Sequence, residues 1–172
     1  MARVVEDQVP KACEVFSSLR QVDFCDAYRA PVSKPGIGPQ EVYEAVFDHP
    51  PSWVRHLFTV RGWLASALRL KHVHLADASR KPGRTYSVGQ RAGMFSVVAI
   101  NTNELIVGDD DTHLNFRISI YRSSSNGAEA VTISTAVQIN NFVGTAYMAA
   151  IKPFHKHLAR LMLQRAVDAG RL

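Results

Sequence analysis

Hydrophobic positions recur along this chain at two periods, and the change from one to the other falls just after Arg80-Lys-Pro-Gly-Arg84, which reads as a basic turn. Downstream of it the period is two. Met94 to Ile100 predicts a nearly continuous apolar strand, Asn101-Thr-Asn103 a tight turn, and Glu104 to Gly108 the returning strand. Thr112 to Arg122 alternates, with Leu114, Phe116, Ile118 and Ile120 on one face and His113, Asn115, Arg117, Ser119 and Tyr121 on the other. Ser123 to Gly127 ends in the Asn-Gly pair favoured in hairpins, and Glu129 to Ile139 returns with Val131, Ile133, Val137 and Ile139 together. These four strands predict an antiparallel meander.

Upstream the period is mostly helical. Residues 1–21 read as a loosely held lead-in, and the mixed polar and aromatic alternation of Val22 to Tyr28 predicts an edge strand. Lys34-Pro-Gly-Ile-Gly-Pro39 breaks regular structure. Pro39 to Asp48 predicts a short helix with Val42, Ala45 and Val46 on one side and Pro39 in its first turn, ended by His49-Pro-Pro51. Ser52 then caps a predicted second helix from about Trp53 to Leu70, striped by Trp53, Val54, Leu57, Phe58 and Leu64. A long C-terminal helix is predicted from about Phe142 to Ala169. Val143, Tyr147, Ile151, Phe154, Leu158, Leu161 and Met162 run along its apolar side, and Pro153 is expected to kink or divide it.

A length of 172 residues suits one domain, 1–172, large enough to bury its own core, and 47% hydrophobic with 20% charged residues marks a folded chain. No run approaches the ~18–20 apolar residues of a membrane span, and acids interrupt the N-terminus, so a cytoplasmic location is expected. Cys13 and Cys25 have no metal-ligand spacing and fit a reduced compartment. The net charge of +5 is uneven: eight Lys or Arg stand against Asp77 between Arg55 and Arg91, and five acids against Arg117 and Arg122 between Glu104 and Glu129. The bases are spaced without a dense run or stacking aromatics, so a solvated basic face is expected and not a nucleic-acid surface.

Strand, two helices, antiparallel strands and a long helix, in that order, suit an α+β fold in which a curved sheet closes on one amphipathic helix. Pro51-Ser-Trp-Val54, Leu105-Ile-Val-Gly108, Asp110-Asp-Thr-His-Leu-Asn-Phe-Arg117, Thr135-Ala-Val-Gln-Ile-Asn140, and Gly144 through Tyr147 to Ile151-Lys-Pro-Phe-His155 carry a resemblance. Spread over residues 23 to 168, they make the chain similar to the uncharacterised bacterial family DUF2867. The order of elements resembles the helix-grip fold of the START-related, Bet v 1-like (SRPBCC) superfamily. The resemblance implies a curved antiparallel sheet around the C-terminal helix, with two short helices after the first strand, and a ligand of the lipid, hormone or polyketide kind. Longer proteins that carry such a domain after a nicotinamide-binding one are also implied, but here no Gly-x-Gly-x-x-Gly follows a strand, and no cofactor is expected.

Candidate chemistry concentrates at Asp109, Asp110, Asp111 and His113, where a carboxylate beside an imidazole can act as an acid–base pair. The plainer alternative is a turn whose aspartates bond to backbone N–H groups. The parity of the strand aims His113, Asn115 and Arg117 away from an apolar-lined cavity, which predicts an Arg117 salt bridge to an aspartate or to Glu104. His113, Asp111 and His155 are the catalytic candidates. Tyr147 and His155, eight apart and flanking Ile151, share a helix side, and with Phe116 and Trp53 they are the candidate contacts of a small hydrophobic ligand. Asn140 and Asn141 are expected to cap the last helix. His72-x-His74 and His155-x-His157 lack a third ligand, so no metal is expected. Two function classes follow: a protein binding a small hydrophobic molecule, and a cyclase or dehydratase using a His/Asp pair. Exposed strand edges and aromatics would suit a homodimer.

Overall fold

A computed structural model describes residues 3–51, 54, 85–125 and 127–172. The predicted second helix, Trp53 with it, His72-x-His74 and most of the Arg55–Arg91 basic stretch lie outside the described residues. The rest is an α+β fold. Seven strands, β1 (Val5–Glu6), β2 (Phe24–Pro31), β3 (Arg91–Ala92), β4 (Phe95–Ile100), β5 (Glu104–Asp110), β6 (Leu114–Ser125) and β7 (Ala128–Ile139), form one curved antiparallel sheet in the order β1-β2-β7-β6-β5-β4-β3. The helices with described bounds are α1 (Pro39–Phe47) and α2 (Phe142–Asp168).

The local turn signals act as predicted. Asn101 Oδ1 accepts from the N–H groups of Asn103 and Glu104, closing the β4–β5 hairpin. Ser125 pairs with Ala128, so β6 and β7 join through residues 126–127, and Gly127 takes φ 77°. α1 starts on Pro39, and Glu41 Oε2 accepts from the Gly38 N–H three residues back.

Pairing fixes the faces. Phe24, Asp26, Tyr28 and Ala30 of β2 lie opposite Val137, Thr135, Ile133 and Val131 of β7, which in turn pair with Phe116, Ile118, Ile120 and Arg122 of β6. This inner face carries two apolar clusters. The larger joins Tyr28, Leu105, Val107, Ile118, Ile120 and Ile133 to α1 and to the C-terminal part of α2 through Met162, Leu163 and Ala166. A smaller one joins Phe24, Leu114 and Val137 to Met148 near the start of α2.

Four expectations need correction. β2 is not an edge strand, because β1 pairs with its Tyr28 and Arg29. The lead-in is tied down: Val4 and Val15 are fully buried, and residues 13–20 hydrogen-bond to side chains of β5, β6 and β7. α2 is not divided at Pro153 but runs as one helix through it, with the proline on the exposed side. Its inward stripe is also rotated from the predicted one. Phe154 is 72% exposed and Val143 45%, while Gly144, Met148, Met162 and Ala166 face the sheet. Gly144 sets that rotation, since a Cβ there would overlap the His113 carbonyl oxygen. With small or apolar side chains on several sides of this helix, the pattern alone leaves its azimuth open.

Candidate functional site

Between the two inner clusters the apolar lining is interrupted by polar groups. Asp26 holds a position that strand parity assigns to the core, next to Phe24 and Tyr28, and its side chain is 2% exposed. His155 of α2 reaches down to it, with Nε2 3.5 Å from Asp26 Oδ1 and 3.3 Å from the Thr135 hydroxyl of the neighbouring strand. The imidazole also meets the Phe24 ring edge-on, centroids 5.9 Å apart. Above Phe24, Lys152 Nζ lies 5.4 Å from the ring centroid. Strands β2 and β7 thus supply a carboxylate and a hydroxyl, and α2 supplies an imidazole.

Among the described residues, neither oxygen of Asp26 has an aligned hydrogen-bond partner. His155 is within ion-pair distance only. The Tyr28 phenol is pushed up to about 12, first by burial and then by the negative charge of Asp26, with Glu6 adding to the rise and Arg160 opposing it. A weak hydrogen-bond contribution from Asp26 comes last among these causes, so the phenol is a hydroxyl-type donor close to a carboxylate whose oxygens otherwise lack aligned partners among the described residues. A buried carboxylate left without donors costs several kcal/mol by common experience (~1–3 or more), so its presence calls for a reason.

The helix above is open at this level. α2 is pinned at one end by Gly144 and Met148 and at the other by Met162, Leu163 and Ala166. Between Met148 and Met162 no residue is fully buried, and Ile151, His155, Leu158 and Ala159 are only partly covered. The polar trio lies under this less covered stretch, and His155 keeps 26% of its side chain exposed.

The other candidates divide clearly. Tyr147, Ile151 and Phe116 are brought together as partly buried residues around the Phe24–Met148 cluster, next to His155. His113 is 3% exposed, buried under the first turns of α2 with its ring edge-on to Tyr147 at 5.5 Å, and so neither turned to solvent nor set by β6 parity. Its Nδ1 is 3.3 Å from Asp111 Oδ2 without hydrogen-bond alignment. Asp111 does not reach His155. The three aspartates hold the turn: Asp109 accepts from Ser96 and Arg91, Asp110 pairs with Arg117 at 2.7 Å, and Asp111 accepts from the Thr112 N–H. Asn141 caps α2 through Gly144 N, and Asn140 and Asn141 donate to the carbonyls of Asp111 and Thr112. Asp26 and Thr135 were missed by sequence reasoning, although an acid at a core parity position of β2 is a readable signal.

Over residues 18–162 the sequence matches the family model described as Protein of unknown function (DUF2867). The chain belongs to the DUF2867 family. The DUF2867 match takes in Asp26, Thr135, Tyr147 and His155 and leaves out Cys13 and Val15. No curated protein matches the chain. Among the described residues no helix is long and apolar enough to cross a membrane, and no group of three or more His, Cys, Asp or Glu could hold a metal ion.

Proposed function

We propose that this DUF2867 protein binds a small, mainly apolar molecule between the inner face of the sheet and the middle of α2. The polar end of that molecule lies against Asp26, Thr135 and His155. Phe116, Tyr147 and Ile151 provide apolar contact. The observation that carries this reading is the Asp26 carboxylate, buried, short of donors and surrounded by apolar side chains under the least covered part of the helix. A binding site has that character: apolar walls with a few fixed polar groups. On this reading the architecture is a helix-grip fold of the START-related, Bet v 1-like kind, the long helix being the part gripped. Two free cysteines fit work in the cytoplasm.

A second reading has its own support. A carboxylate 3.5 Å from an imidazole that is itself partly exposed is the arrangement of a general base and its orienting acid. On this reading the protein is a cyclase or dehydratase in which His155 moves a proton and Asp26 orients the ring, with His113 and Asp111 left to structure.

Native mass spectrometry of gently purified protein, followed by solvent extraction, separates these. A stoichiometric apolar adduct that survives incubation unchanged supports binding. An adduct converted by the native chain and not by His155→Ala supports catalysis. A clean mass, with no uptake from a panel of apolar compounds, overturns both.

A further inference from the structure

Resting on the ligand-binding reading, we infer that the polar end of the ligand is an uncharged hydroxyl, an alcohol or phenol, and neither a carboxylate nor an amine. The deepest group at the site is Asp26, whose oxygens lack an aligned donor among the described residues; a carboxylate only accepts hydrogen bonds. A ligand carboxylate placed there would bring two acceptors and two negative charges together in a buried setting, which is strongly unfavourable. A ligand amine fits Asp26 but meets cations on its way in. Lys152 lies over Phe24, Arg160 is near enough to Tyr28 to oppose the rise in its pKa, and Lys156 lies at the same flank, paired with Glu6 at 3.3 Å.

A hydroxyl meets neither obstacle. Its O–H donates to Asp26, and its lone pairs accept from His155 Nε2–H or from the Thr135 hydroxyl, 3.3 Å apart from each other. His155, 3.5 Å from Asp26, and Thr135, 3.3 Å from His155, thus form a complete donor–acceptor set with the carboxylate once a hydroxyl is placed among them.

The test uses three probes with one ring system: 2-naphthaleneethanol, 2-naphthaleneacetic acid and 2-naphthaleneethylamine, measured by equilibrium dialysis against the full chain at neutral pH. The alcohol is expected to bind at least about tenfold more tightly than the acid and the amine, since a site built for a hydroxyl rejects analogues that leave its polar groups unpaired. In Asp26→Asn, and separately in His155→Gln, this preference should fall to within about threefold, while Cys25→Ser, on the opposite face of the same strand, keeps it. An acid or amine that binds as well as the alcohol overturns the inference and leaves the apolar-ligand reading standing. A preference that persists in both variants overturns it as well, because recognition then lies elsewhere. Failure of all three probes to bind overturns the inference and the reading together.

Discussion

Glu104 and Asp26 are both acids on strands of one sheet, and both are nearly shut off from solvent, at 2% and 7% exposure. Glu104 is on the outer face under the N-terminal segment. There Cys13 Sγ donates to its Oε1 at 2.8 Å, the Glu14 N–H to its Oε2 at 2.9 Å, and the Ser119 hydroxyl to its Oε1. Asp26 on the inner face has an imidazole at 3.5 Å and no aligned donor among the described residues. The satisfied acid acts as a fastener that fixes residues 13–14 to β5 and β6. The unsatisfied one is a cost that folding alone does not explain, and it is the feature on which the proposed ligand site rests.

That contrast can be broken most severely at Glu104. Glu104→Ala strands one buried and two partly buried donors at once, and should lower unfolding free energy by about 2–3 kcal/mol, read as a lower urea midpoint, with the N-terminal segment becoming protease-sensitive. If stability is unchanged, Glu104 is not the fastener. The change at Asp26 should have the opposite sign. Asp26→Asn removes the buried charge at nearly constant shape and should raise stability by about 1 kcal/mol, a Tm increase of roughly 2–4 °C in a domain of this size. A loss of stability would mean that the carboxylate is satisfied after all.

The smallest effect concerns Cys13. Its thiol is pushed up to about 12, chiefly by burial and then by the hydrogen bond to Glu104. A thiol that stays protonated in the native state but ionises near its ordinary value of 9.0 when unfolded stabilises the fold fully below that value. This contribution is lost as pH rises through about 12. Cys13→Ser should therefore flatten part of the alkaline decline in stability, the rest of which includes Tyr28. At mildly alkaline pH, iodoacetamide should label the exposed Cys25 and spare Cys13. Equal labelling of the two would remove the Cys13–Glu104 contact from the account.

Much of the scaffold was legible from neighbouring residues. The β4 to β7 meander follows from alternation along each strand, and the Asn101 turn and the Asn141 cap follow from side chains that act on backbone groups a few positions away. The candidate site was only half legible. Tyr147, His155, Ile151 and Phe116 do gather near one another, but the acid that meets His155 is Asp26, not a member of the conspicuous Asp109–Asp111 cluster. Each aspartate of the dense run has a partner at the strand ends and turn, Asp109 through one oxygen only, whereas the acid that meets His155 is a single residue on a core-facing parity.

The sequence by itself determined the β4 to β7 meander, the starts of α1 and α2 and which residues of those strands share a face, because these depend on periodicity and on contacts within a few residues; the two-residue strands β1 and β3 were too short to carry a period. Only the tertiary structure decided which face of each element meets which partner. It turned α2 so that Gly144 and not Val143 meets the sheet, folded residues 13–20 over the outer face, and set His155 above Asp26. Those outcomes depend on close packing between segments far apart in the chain, where a backbone contact at one glycine fixes the direction of every side chain on a 27-residue helix.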